Sequence, residues 1–356
     1  MYIELMQFSA ILLLTLLALK LFLLPQSMIT SDVVRKSRWF LFFGTSLLAL
    51  QFLLQYIFGL RARGVTYAVM LNLAFFIPCT VFFSLAVLYL QRRGKVSLIE
   101  KYIGVPVWFL SMAIIAIGIM TGKLLLTEII ATVLYAAMQI FYTIHEMRYM
   151  RHLRETLANY YDADMEHVLR WMQWSVIQLT LMAVMVPVII FGHGPLLVLF
   201  ALLFFFGIFY LVDSFCLFVV SNTPAKVVEA ETEQARTETE ESGAHVSDDA
   251  WHRVDLAVDA WIAKRGHLKA GLNMPSAAEE IGVPRYLLSA WLRQKGVRYS
   301  DWLAEMRIDE AKRVMRDHPD WSNETIAEHC GFCDRTYFQR KFKEITGITP
   351  HDFISQ

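Results

Sequence analysis

Seven runs of mainly apolar residues fill the first 220 positions: Ile3–Leu24, Trp39–Leu60, Val65–Leu90, Tyr102–Gly122, Leu124–Ile144, Trp174–Phe191 and Pro195–Val220. Each approaches or exceeds the roughly 20 residues that an α-helix needs to cross a bilayer. Of the 356 residues, 56% are hydrophobic and 19% charged, against a usual ~45–50% and ~25%. The excess is uneven. Residues 1–220 hold 15 Lys/Arg and 10 Asp/Glu, and residues 221–356 hold 18 and 23. This distribution excludes a single water-soluble globule, a disordered chain and a fibrous repeat. It predicts an all-α protein in three parts: a seven-helix transmembrane bundle over 1–220, an acidic linker over 221–247 and a helical domain over 248–356.

The fourth and fifth runs are separated only by Gly122 and Lys123, which predicts a tight helical hairpin. The sixth is short and contains Pro187, so six spans is the alternative count. The first run has Glu4, no basic residue before Lys20 and no small-residue cleavage site, so it is read as a retained helix rather than a signal peptide. Basic loop residues orient the bundle. Arg35, Lys36, Arg38, Arg92, Arg93, Lys95, Lys101, Arg148, Arg151, Arg154 and Arg170 fall on one side, and Arg61, Arg63 and Lys123 on the other. The richer side is expected in the cytoplasm of an inner-membrane protein. That puts the N-terminus outside and, with seven spans, the C-terminus inside.

Polar residues within the spans are Asn72, Glu128, Gln139, Gln178 and Asp213, with His193 in an outer turn. Ionisable groups at membrane depth are costly and face the bundle interior. Glu128 and Asp213 therefore allow two readings: a ligand or ion site for an unknown membrane or small-molecule signal, or helix–helix hydrogen bonding. The segment from His145 to Gln173 repeats Met147, Met150, Leu153, Leu157 and Tyr161 at helical spacing. It predicts a cytoplasmic extension of the fifth span and then a short helix through Met165–Trp171, serving as a solvated connector or as a coupling or dimerisation element.

Residues 221–250 carry eight acids, two bases and no aromatic residue. Such a stretch cannot bury enough surface to offset its ordering entropy, and it reads as a flexible tether. Beyond it, Ser247 is expected to cap a helix whose Trp251, Val254, Val258, Trp261 and Ile262 share one face, with Gly266 ending it.

An internal repeat follows. Ala278-Glu-x-x-Gly282 recurs as Ala327-Glu-x-x-Gly331, and each copy has a capping residue five positions upstream, Asn273 and Ser322. Each Gly is followed by an apolar residue and a second helical pattern, so each copy reads as helix, turn and helix. The turn glycines are expected at positive φ. First helices carry acids (Glu279, Glu280, Glu324, Glu328). Second helices carry bases (Arg285, Arg293, Lys295 and Arg298; Arg335, Arg340, Lys341 and Lys343), which suits phosphate attraction and major-groove entry. Ser300–Arg316 predicts a connecting helix of about 25 Å, long enough to set two recognition helices on one face of DNA.

Ile326-Ala-Glu-His-Cys-Gly-Phe332, Tyr337-Phe-x-Arg340-x-Phe342-Lys343, Gly347-x-Thr349-Pro350-x-x-Phe353 and Arg307-Ile308-x-x-Ala311 resemble the signature of AraC/XylS-type transcription regulators. The resemblance covers about residues 250–354. It implies a seven-helix DNA-binding domain with two helix-turn-helix units in successive major grooves of double-stranded promoter DNA, acting with RNA polymerase. Carried over position by position, it implies base reading by Arg335, Thr336 and Gln339, with Arg340 and Lys343 nearer phosphate. In the first unit it implies Arg285, Tyr286 and Ser289, with Arg293 toward phosphate. Leu288, Leu292, Phe332, Phe338 and Phe342 are implied core. The sequence departs from the pattern at Pro284, Ala290 and Ile354, and its first recognition helix is one residue short before Gly296.

Cys330 and Cys333 form C-x-x-C, but no second pair or nearby His pair completes a metal set. Cys330 is expected as a core residue. No phosphate-binding Gly loop or nucleophile constellation is present, so neither catalysis nor a cofactor is expected. The reading is a membrane-embedded, one-component regulator in which a signal shifts the conformation or homodimerisation of a lipid-embedded bundle. The alternatives are a transporter-like or enzyme-like module that gates DNA binding, and a bundle that is only an anchor.

Overall fold

The computed structural model describes residues 2–29, 31–59, 65–162, 166–191, 195–220 and 248–354. The acidic linker, Ser247, His193, Arg61 and Arg63 lie outside the described residues. Among the described residues the regular structure is helical, apart from one isolated bridge between Tyr161 and Asn273. The chain forms two compact units: Met1–Arg151 with Val168–Ala225, and His152–His167 with Lys226–Gln356.

The first unit contains α1 (Tyr2–Phe22), α2 (Asp32–Phe58), α3 (Val65–Gln91), α4 (Leu98–Tyr102), α5 (Gly104–Thr121), most of α6 (Leu124–Tyr160), most of α7 (Glu166–Phe191) and α8 (Pro195–Val220). Among the described residues, Asp32–Phe58, Met70–Gln91, Leu98–Thr121, Leu124–Tyr160 and Leu202–Val220 are long and apolar enough to cross a membrane, and Gln7–Phe22 is a shorter apolar helix. Leu5, Phe8, Leu12, Leu16 and Leu19 form an exposed apolar stripe along α1. Water would not tolerate so continuous a stripe, whereas lipid would.

Local chemistry explains the element ends. Ser31 caps α2 by accepting from the backbone N–H of Val34 at 3.3 Å. Ser97 and Glu100 form a reciprocal capping box on α4, and the buried Glu100 carboxylate also receives Arg92. The predicted hairpin is present, with Lys123 N–H donating to the Gly118 carbonyl at 3.1 Å. The segment between the fifth and sixth spans keeps the expected extension of the fifth span but not the expected separate short helix. α6 runs unbroken to Tyr160, and the expected short helix and sixth span are one helix, α7. Neither Leu124–Tyr160 nor residues 166–186 contain Gly or Pro, so nothing interrupts either ladder.

Some polar side chains in this unit pair across helices, while those of Gln91 and Ser111 are buried without a hydrogen bond among the described residues. Asn72 Oδ1 accepts from Gln51 Nε2 at 2.7 Å and from Gln55 Nε2 at 2.6 Å, joining α2 to α3. Thr80 and Tyr135 hydroxyls lie 2.9 Å apart, joining α3 to α6.

The second unit contains the end of α6 and then α9 (Asp248–Ala263), α10 (Met274–Ile281), α11 (Arg285–Gln294), α12 (Tyr299–Asp317), α13 (Asn323–His329), α14 (Arg335–Thr346) and α15 (Pro350–Ile354). It has two cores. Val254, Trp261, Ala277, Leu288, Trp291 and Leu292 build the first, and Ile326, Ala327, Cys330, Phe332, Phe338 and Phe342 build the second. α12 serves both, with Tyr299, Trp302 and Leu303 in the first core and Ile308, Ala311 and Met315 in the second. A helix of 19 residues spans about 28 Å. The expected rigid connector is therefore present.

Candidate nucleic-acid interface

Each repeat folds as two helices around a tight turn. In the first, Asn273 Oδ1 accepts from the N–H of Ser276 at 2.9 Å, and Ser276 Oγ accepts from the N–H of Asn273 at 3.1 Å, starting α10. Gly282 ends it at φ 81°, and Val283 N–H reaches back to the Ala278 carbonyl at 3.0 Å. In the second, Ser322 Oγ accepts from the N–H of Thr325 at 3.1 Å, starting α13. Gly331 follows at φ 81°, and Phe332 N–H reaches the Ala327 carbonyl at 2.9 Å. Only glycine adopts this left-handed turn without strain. A Cβ at Gly331 would also collide with the Leu268 carbonyl, whereas one at Gly282 would meet open space. Both caps and both positive-φ glycines fall where the repeat places them.

The second helix of each unit buries one face and presents the other. In α11, Leu287, Leu288, Trp291 and Leu292 are buried. Arg285 and Ser289 are half-buried, Tyr286 is half-buried with its ring packed against the first core, and Arg293 is exposed. In α14, Tyr337, Phe338, Lys341 and Phe342 are buried. Arg335, Thr336, Arg340 and Lys343 are exposed, and Gln339 is half-buried. Arg285, Tyr286, Ser289 and Arg293 thus share the spacing of Arg335, Thr336, Gln339 and Lys343, one stripe on each helix. The helix starts differ. Asp334 caps α14 by accepting from the N–H of Thr336 at 2.8 Å, while Pro284 precedes α11 without a side-chain cap.

Not every base in these helices belongs to the exposed stripe. Lys341 is 7% exposed and its ammonium donates to Asp301 at 2.7 Å, with Glu344 at 3.0 Å. It braces α14 to α12 and faces away from the stripe, because its helical position falls among Tyr337, Phe338 and Phe342. Lys295 pairs with Asp255 at 3.1 Å and lies over the Trp291 ring, and Arg298 pairs with Asp301 at 2.6 Å. Burial pushes the Asp301 carboxyl up, but Lys341 and Arg298 outweigh it and hold the group below its ordinary value.

Cys330 is buried in the second core and Cys333 is exposed; both are free thiols. Burial pushes the Cys330 thiol up to about 12, opposite to what a reactive thiolate or metal ligand needs. Among the described residues no group of three or more His, Cys, Asp or Glu side chains could hold a metal ion.

In the apolar unit, Glu128 is buried with Oε1 lacking a hydrogen bond, while Asp213 pairs with Lys20, joining α8 to α1. The two carboxylates thus differ: Asp213 has an ion-pair partner, whereas Glu128 Oε1 has no hydrogen bond among the described residues. Sequence reading passed over two other acids. Glu146 is fully buried near Ser84, with neither carboxylate oxygen in a well-formed hydrogen bond. Asp162 is buried against Arg307 at 3.0 Å, although 145 residues separate them. Neither acid carries a local sequence signal, since each looks like one more charge between two spans.

Residues 277–356 match the family described as a helix-turn-helix domain. The C-terminal part of the chain is a helix-turn-helix domain of the AraC type. It is similar to the regulatory protein PocR of Salmonella typhimurium, 26% identical over 91 residues, which are 25% of this chain and 30% of that protein. It is also similar to the uncharacterized transcriptional regulatory protein YesN of Bacillus subtilis, 35% identical over 71 residues, 20% of this chain and 19% of that protein. The chain thus spans under a third of the length of either relative. No solved structure matches it.

Proposed function

We propose that this protein is a membrane-embedded, one-component transcription regulator that binds promoter DNA through both helix-turn-helix units. The observation that carries the reading is the paired stripe: Arg285, Tyr286, Ser289 and Arg293 on α11 repeat in register as Arg335, Thr336, Gln339 and Lys343 on α14, on one rigid connector. Arg285 and Arg335 supply the donors that suit guanine edges, and Arg293, Arg340 and Lys343 supply phosphate charge. Two regulators among its relatives support the same output.

Seven spans would place the N-terminus outside and the DNA-binding domain in the cytoplasm, beside RNA polymerase. The exposed stripe on α1 and the five long apolar helices support insertion in lipid. The composition of residues 221–247, rich in acids and without aromatic residues, suits a spacer rather than a mechanical lever. Homodimerisation of the bundle, which raises the local concentration of DNA-binding units, is therefore the favoured route from signal to DNA. Glu128 and Asp213 stand as candidate signal-site residues, with Glu128 the stronger because it is buried with Oε1 lacking a hydrogen bond among the described residues.

The test is selection of random duplexes by the full chain in lipid nanodiscs, at defined salt. A defined motif whose recovery fails with Arg335→Ala supports sequence-specific regulation. Sequence-blind recovery overturns it.

A further inference from the structure

Arg307 is the largest fully buried side chain among the described residues, at 1% exposure. Its Nε donates to the His267 carbonyl at 2.9 Å, and its Nη2 donates to the Lys269 carbonyl at 2.8 Å. These carbonyls satisfy hydrogens but carry no net charge. A buried guanidinium without an anion is strongly destabilising. The anion is Asp162, 5% exposed, whose Oδ2 lies 3.0 Å from Nη2. Other nearby acids are committed elsewhere: Glu310 pairs with Arg265 and Arg313, and Asp301 with Lys341 and Arg298.

Asp162 is held on more than one side. Burial raises its pKa, and Arg307 together with the nearby backbone of Leu272 and Gly271 acts against that in favour of the charged form. Its neighbour Tyr161 forms an antiparallel bridge with Asn273, the residue that caps the first helix-turn-helix unit. Arg307 in turn lies over the Phe332 ring at 5.6 Å, three residues before Arg335. The contact therefore touches the start of one unit and the turn of the other. Asp162 lies two residues beyond the end of α6, a single helix whose first residue is Leu124.

We propose that Tyr161–Asp162 is a docking strap: it seats a carboxylate in a socket of the DNA-binding domain made by Arg307 and the 267–273 loop, and its engagement fixes the two helix-turn-helix units in their DNA-competent arrangement. The strap thereby ties the end of α6 to the recognition helices through a part of the chain separate from residues 221–247. The direction follows from charge. With the strap released, Arg307 is left buried without an anion, so the packing of α12 against the 267–273 loop and Phe332 loosens and the spacing of the stripes is lost. The strap's role in DNA binding rests on the function proposed above, but the docking itself does not.

The experiment uses the full chain in nanodiscs, with Cys333→Ser removing the exposed native thiol. Tyr161→Cys with Asn273→Cys places thiols at a bridged pair, within disulfide reach. Mild oxidation is expected to cross-link them within one chain, and adding Asp162→Ala is expected to slow this at least about tenfold. In otherwise native protein, Asp162→Ala is expected to raise amide exchange across residues 267–273 and to weaken binding to the selected duplex at least about tenfold. The cross-linked protein is expected to bind that duplex as tightly as the reduced form.

Cross-linking no faster than for Tyr161→Cys with Glu324→Cys overturns the docking. So does unchanged amide exchange in Asp162→Ala, a readout that needs no engineered thiol and leaves the Asn273 cap intact. A cross-linked protein that loses DNA overturns the DNA-competent assignment. If the cross-link forms but native protein selects no motif, the docking stands and the proposed function fails.

Discussion

Lys341 Nζ lies 2.7 Å from Asp301 Oδ1, so a lysine in the middle of a recognition helix points into the protein rather than toward DNA. Lys343, two residues on, is exposed. The two should behave differently. Lys343→Ala is expected to reduce the slope of log affinity against log salt by about 1, because one phosphate contact is lost. Lys341→Ala is expected to leave that slope unchanged and to destabilise the domain by roughly 1–3 kcal/mol, because Asp301 loses its buried partner. Salt titrations of both variants, beside amide exchange in α12 and α14, check the contrast.

Gly282 and Gly331 share φ 81° but not their surroundings. Gly282→Ala meets open space, so only backbone strain applies, about 1–2 kcal/mol. Gly331→Ala drives a Cβ into the Leu268 carbonyl as well, adding an overpacking cost of roughly 1–3 kcal/mol. Gly331→Ala is expected to lower the denaturation midpoint of the second unit clearly more than Gly282→Ala. Equal midpoints would refute the close approach of Leu268 to the turn of the second helix-turn-helix at Gly331.

His267 gives the second unit a pH dependence of known sign. Its ring is buried beside Trp261, and burial holds its pKa below the ordinary value, with Arg307 and Arg265 adding to the effect against Glu310. In the unfolded chain the ring titrates near ~6.5. Between the folded value and that point the unfolded state binds more protons, so stability falls as pH falls below about 6.5. Lys269 holds Glu280 down, Trp291 and Lys295 hold Asp255 down, and both act below the usual carboxyl range, near pH ~4. The loss between pH 7 and pH 5 is therefore expected to shrink in His267→Phe, measured as amide exchange in α9–α12 of the full chain. The backbone carbonyl that receives Arg307 is kept in that variant.

Much of this was legible in the sequence because it obeys local rules. Asn273 and Ser322 cap helices because short polar side chains reach N–H groups two or three residues on. Gly282 and Gly331 turn because no other residue adopts that φ cheaply. The stripe on α14 follows from helical period alone. What escaped needed a partner from far along the chain. Lys341 reads as one base among four until Asp301, 40 residues earlier, is folded against it. Asp162 reads as solvated loop until Arg307 is seen without another anion. The extension of α6 past the lipid was legible from its helical spacing, but the fusion of the short helix with the sixth span in α7 escaped, because hydropathy reports where lipid ends, not where a helix does.

The two units should not read DNA equally. Arg335 stands exposed in the first turn of α14, behind a capped N-terminus, whereas Arg285 is half-buried behind Pro284. A guanidinium needs both of its parallel donors to read a guanine edge, and a well-formed bidentate pair discriminates by about 1–3 kcal/mol. Arg335→Ala is expected to lose that much on the preferred duplex and to relax preference at one base pair, with little change on unrelated DNA. Arg285→Ala is expected to lose less specificity, because its partly covered side chain has fewer donors to offer. Competition binding by the full chain against duplexes substituted one base pair at a time measures both. A flat profile for Arg335→Ala would assign the arginine to phosphate and move base reading to Thr336 and Gln339.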